Sequence, residues 1–142
     1  MNVQVFWNMQ LASYSRETFL NESVAMLDMH GDIVDRAEVV QSLKDREIQG
    51  NTLLSETLAL PHSQSGGVRT LVMAFFKTMR PIYDWQPGCG VDRFLCIMLP
   101  RQVNAVETNA LKALFGIIAD DRVMQILSTG SETAVNSQFS NK

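Results

Sequence analysis

Long apolar runs are absent from this chain: no stretch approaches the roughly 20 residues needed to cross a bilayer. The opening Met1-Asn2-Val3-Gln4 has neither the basic start nor the apolar middle of a secretory signal. A cytoplasmic location follows as the expectation. Cysteine is scarce, with Cys89 in the turn-like Pro87-Gly88-Cys89-Gly90 and Cys96 in the apolar run Phe94-Leu95-Cys96-Ile97-Met98. Neither has a metal or redox spacing, so Cys96 reads as a small buried hydrophobe and Cys89 as a turn residue. Strong charge of one sign is also missing. With 15 acidic against 12 basic residues, net charge -3, the chain has no sequence-independent grip on a polyanion, and no nucleic-acid partner is expected. Repeats, low-complexity segments and linkers are lacking too.

What remains is 142 residues at 46% hydrophobic content, enough for one soluble domain with a full core. Hydrophobic period divides it. Leu20, Val24 and Leu27 recur at helical spacing between Arg16 and His30, Gly31 is a natural left-handed stop, and a second helix fits Asp35 to Glu47. Val68 to Phe76 and Val91 to Leu99 are apolar runs suited to buried strands, joined through an extended connection over Met79 to Trp85. A short strand fits Val3 to Phe6. Val106, Ala110, Leu111, Leu114, Ile117 and Ile118 mark one helix face; Asp121 to Leu127 reads as a further helix ended by Gly130. The polar tail 136–142 reads as frayed. The pattern predicts a single α/β domain over residues 1–142, a mixed β-sheet flanked by α-helices.

One histidine stands out. His62 follows a short apolar, strand-like run that stops at Pro61, and it precedes Ser63-Gln64-Ser65-Gly66-Gly67. A neutral imidazole keeps a lone pair near pH 7, and the turn after a strand is a usual place to expose one. A capped or packed histidine would look the same in sequence. His30, before Gly31, is explained as a cation at a helix C-terminus. Trp7, Trp85 and Tyr83 read as aromatic core packing.

Arg46-Glu47, Asn51-Thr52 and Leu58-Ala59-Leu60-Pro61-His62 together resemble the signature of the enzyme IIA domain of the fructose-mannitol class in the bacterial sugar phosphotransferase system (PTS). Pro81 to Trp85, the strand through Val91 to Leu99-Pro100, and the helix ending Ile117-Ile118-Ala119-Asp120 fall in the family's order and spacing, so the resemblance covers nearly the whole chain. It implies that His62 accepts a phosphoryl group from the phosphocarrier protein HPr and passes it to a cysteine of an enzyme IIB. It also implies that Arg46, a planar and permanently charged fork, stabilises the transferring group. The Ser63 hydroxyl and backbone N-H groups of residues 63–67 are further candidate donors. No metal or organic cofactor is implied. The sugar is not specified, because specificity belongs mainly to a membrane component.

Two departures from the family pattern bear on mechanism. Leu53, Ser55, Glu56 and Thr57 stand where the family has a glycine-rich stretch, so side chains occupy space that glycine leaves clear. Glu107 stands where many members carry a second histidine. Beside a phosphohistidine, a carboxylate at ~5 Å would cost a few kcal/mol per charge at an effective dielectric of about 20. Both departures favour the alternative expectation, a regulatory or degenerate binding module. The intact Arg46 and Pro61-His62 favour the transferase.

Overall fold

The order of apolar residues along two long strands organises the molecule. The computed structural model describes residues 2–29 and 31–140, so His30 and the last two residues of the predicted tail lie outside it. Strands β1 (Gln4–Met9), β2 (Leu58–Ala59), β3 (His62–Gln64), β4 (Val72–Ile82) and β5 (Val91–Leu99) form one five-stranded sheet. Five helices flank it: α1 (Arg16–Asp28), α2 (Arg36–Gln49), α3 (Ala105–Ile118), α4 (Asp121–Thr129) and α5 (Glu132–Ser140). The sheet is mixed, as predicted. β4 and β5 pair antiparallel, while β1 lies parallel to β4, and β2 and β3 both lie parallel to β5 on its other side.

Alternation along β4 and β5 explains the unbroken apolar runs. Ala74, Phe76, Phe94, Cys96 and Met98 face α1 and α2, packing with Phe19, Val24, Val39 and Leu43. Met73, Phe75, Leu95 and Ile97 face the other way, against Leu114, Leu127, Val135 and Phe139 of α3 to α5. Both faces are covered, so neither position of the period-2 pattern is left to water. Each fully buried phenylalanine adds roughly 1.5–3 kcal/mol of transfer free energy. Side chains start all five helices: Ser15, Asp35, Asn104, Asp120 and Ser131 each accept an N-H from the first turn. Gly31, at φ 82°, takes the left-handed conformation expected after the first helix.

Three elements differ from expectation. β4 begins at Val72 and runs through Met79 to Ile82, which the sequence suggests is a connection; Pro81 lacks an N-H and sits where the β4–β5 register shifts, between Lys77 and Ile82. The supposed frayed tail is helical to Ser140, because Val135 and Phe139 at i, i+4 both bury against the second face of the sheet. Tyr83 is 70% exposed, whereas Trp85 is buried as predicted and Trp7 stacks on Phe75 at 6.3 Å between ring centroids. Among the described residues no helix is long and apolar enough to cross a membrane.

Candidate active site

Proline creates the site. After β2 the chain leaves the ladder at Leu60, whose N-H goes to Thr52 O at 2.8 Å, while the Pro61 carbonyl accepts Ile97 N-H at 3.0 Å. Pairing with β5 then resumes as β3, so His62 opens a strand opposite Ile97 where the sequence suggested a turn. Helix α2 ends alongside. Arg46 lies in its last turn, donating from Nη1 to Gly50 O at 3.0 Å and from Nε to His62 Nε2 at 3.2 Å. The other imidazole nitrogen, Nδ1, is 2.8 Å from Leu60 O. A carbonyl oxygen only accepts, so Nδ1 carries the proton and Nε2 holds the lone pair; the Arg46 donor fits this tautomer.

A buried link ties these parts together. Thr52 Oγ1 donates to Glu47 Oε1 at 2.5 Å, and both residues are under 10% exposed. Glu47 Oε2 has no partner among the described residues. Burial, followed by the nearby Glu47, pushes the Cys96 thiol far above its ordinary range, so it is inert as a nucleophile. Arg46, Glu47, Thr52, Leu60 and His62 thus close a ring of covalent and hydrogen-bonded links around the imidazole. The Arg46-Glu47 and Asn51-Thr52 pairs of the sequence are its two sides.

His62, Arg46 and Ser63 line one cleft of about 430 Å³. Ser63 Oγ is buried and has no partner among the described residues. The backbone donors predicted for the following turn are partly spent: Ser65 N-H goes to Leu99 O at the end of β5, and Gly67 N-H to Ser65 Oγ within the turn. Glu107 is elsewhere. Its Oε1 accepts Asn104 N-H at 3.1 Å in a capping box and its Oε2 accepts Leu71 N-H at 2.6 Å, and it lines a different cavity. Two of the side chains that replace the glycines are held away from the cleft. Ser55 Oγ meets Ser128 Oγ at 2.8 Å and Thr57 Oγ1 donates to Ser128 O at 2.8 Å, which pins the segment to α4; none of residues 53–57 lines the cleft. Arg101 and Glu38, which no sequence pattern singles out, do line it.

Residues 4–142 match the family model "Phosphoenolpyruvate-dependent sugar phosphotransferase system, EIIA 2". The chain is 26% identical over 130 residues to the PTS system fructose-specific EIIABC component of Bacillus subtilis, covering 89% of this chain and 20% of that protein. It therefore spans about a fifth of that relative's length. Its fold matches the nitrogen regulatory protein IIA-Ntr of Neisseria meningitidis, with a TM-score of 0.68 and 23% identity over 93% of this chain and 90% of that one. Mannitol IIA of Escherichia coli gives a TM-score of 0.64 and 19% identity, covering 95% and 94% of the two chains. An E. coli complex of mannitol IIA with phosphorylated enzyme IIB matches at a TM-score of 0.66 and 18% identity, over 98% and 95%. This chain belongs to the EIIA 2 family of the phosphoenolpyruvate-dependent sugar phosphotransferase system.

Proposed function

We propose that this protein is a cytoplasmic phosphoryl-transfer component in which His62 Nε2 accepts phosphate from HPr and passes it to an enzyme IIB. The tautomer carries the reading. With the Nδ1 proton held by Leu60 O, the free lone pair is the one that meets Arg46 at the cleft. In-line attack by Nε2 forms a P–N bond as the donor's P–N bond breaks, and the electron pair leaves with the donor's imidazole. Arg46 Nε-H must then give up Nε2 and turn its donors to the phosphoryl oxygens. Its Nη1 bond to Gly50 O keeps the guanidinium in place during that exchange. The buried Ser63 hydroxyl offers a further donor. A ring bearing phosphate on Nε2 and a proton on Nδ1 is cationic, which makes it a good leaving group for onward transfer.

The alternative, a regulatory or degenerate module, drew on the lost glycines and on Glu107. Ser55, Thr57 and Glu107 are engaged away from the cleft and no residue from 53 to 57 lines it, which favours the transferase. The E. coli pairing of mannitol IIA with phosphorylated enzyme IIB supports the choice of acceptor. Incubation with phosphoenolpyruvate, enzyme I and HPr, followed by mass spectrometry at alkaline pH, is the test. Label on the wild type that is absent from His62→Ala is expected; an unlabelled wild type refutes the transferase.

A further inference from the structure

Arg101 spans the cleft that holds His62. Its backbone is fixed just beyond β5, where Gln64 Nε2 donates to Pro100 O at 3.2 Å and to Arg101 O at 3.1 Å. The side chain then lies across Gly66: a Cβ placed on that glycine would stand 2.9 Å from the Arg101 Nε and 3.3 Å from its Cζ. At the far side Nη2 reaches Glu38 Oε1 on α2 at 3.4 Å. Both the anchor and the end point of this strap line the same cleft as His62 and Arg46.

The two guanidiniums differ in commitment. Arg46 is half-buried and already holds two acceptors, whereas Arg101 is 74% exposed and its long bond to a 41% exposed carboxylate is weak. A phosphoryl group on His62 brings nearly two negative charges and three acceptor oxygens into the cleft. One exposed carboxylate competes poorly with that for a planar fork of donors. Resting on the assignment of His62 as acceptor, we propose that Arg101 is a second phosphate-binding residue, which leaves Glu38 and closes over the phosphoryl group. The charge-stabilising partner that Glu107 does not supply at the helix start would then come from the turn after β5.

The test uses the isolated, phosphorylated full chain, so that docking of a partner cannot contribute. The readout is the ³¹P NMR titration of the phosphoryl group on His62. An adjacent cation favours the more charged phosphoryl form, so Arg101→Ala should raise the titration midpoint by about one pH unit. Gly66→Ala keeps the charge but pushes the guanidinium off its track; its backbone has no positive φ, so the change is tolerated, and a smaller upward shift is expected. Arg69→Ala, which removes an exposed cation outside the cleft, should leave the midpoint unchanged. A labelled Arg101→Ala protein with the wild-type midpoint overturns this inference alone, as does a defect seen only in the rate of transfer from HPr. A wild type that takes no label overturns it together with the proposed function.

Discussion

Thr52→Val tests the ring that holds the imidazole. The substitution keeps volume and branching but removes the hydroxyl that reaches Glu47 Oε1 at 2.5 Å. Glu47 is 4% exposed and its other oxygen has no partner among the described residues, so the variant buries a carboxyl group with neither oxygen bonded. A hydrogen bond to a charged group is worth about 1.5–3 kcal/mol, and the cost falls at the upper end when the remaining partner cannot reach water. A loss of about 2–3 kcal/mol is therefore expected, equivalent to a Tm drop of roughly 7–10 °C for a chain of this size. Thr52→Ser retains the hydroxyl and should lose no more than about 1 kcal/mol. Because Thr52 O also receives the Leu60 N-H, and Leu60 O holds His62 Nδ1, loosening Thr52 should blur the tautomer. Urea unfolding gives the stability, and ¹⁵N NMR of the imidazole gives the tautomer, with the proton expected on Nδ1 in the wild type and shared between nitrogens in Thr52→Val. A Thr52→Val protein that loses under about 0.5 kcal/mol, or no more than Thr52→Ser, refutes the account of a buried link.

Three further outcomes are expected. Glu107→Ala should cost about 1–2 kcal/mol through loss of the capping box and of the Leu71 N-H acceptor, yet leave phosphorylation of His62 within about twofold; a strong effect on labelling would return Glu107 to the site. Phe139→Ala should cost about 3–5 kcal/mol by thermal unfolding, because Phe139 is 2% exposed and packs on Phe75; a neutral result would mean the last helix does not dock. Burial raises the Cys96 thiol in the fold, so its contribution is fully present below about pH 8.5 and is lost as pH rises, at up to ~1.4 kcal/mol per pH unit. Cys96→Ala should flatten that slope in urea titrations between about pH 8.5 and 10, and an identical slope in the two proteins would contradict the assignment.

Strands whose two faces are both buried show as continuous apolar runs, which is why β5 is placed correctly from sequence alone. β4 is legible only where it is apolar; its far end carries Met79, Arg80 and Pro81, and pairing with Val91 rather than composition extends it to Ile82. The last helix escaped because two apolar residues in a polar segment give little periodicity, and only the sheet face above them makes Val135 and Phe139 a stripe. The site divides in the same way. His62 and Arg46 are visible because a proline-terminated apolar run and the Arg-Glu, Asn-Thr spacing are local signals. Arg101 has no local signal. Its place across the cleft comes from Gly66 and Glu38, which lie 35 and 63 positions away in sequence.

Short-range chemistry is what the sequence by itself determined: helix starts at Ser15, Asp35, Asn104 and Asp120, the break at Pro61, the alternation that buries two strands, and the family motif around His62. Each depends on neighbours within a turn or a strand, so each can be read along the chain. Tertiary structure alone brought Arg46 Nε to the Nε2 of His62, since α2 lies beside β3 only in the fold, whereas Leu60 O holds Nδ1 from two residues away. It also decided that Glu107 caps a helix and that Arg101 crosses the cleft, since a long charged side chain takes its role from whichever partner the fold brings within reach.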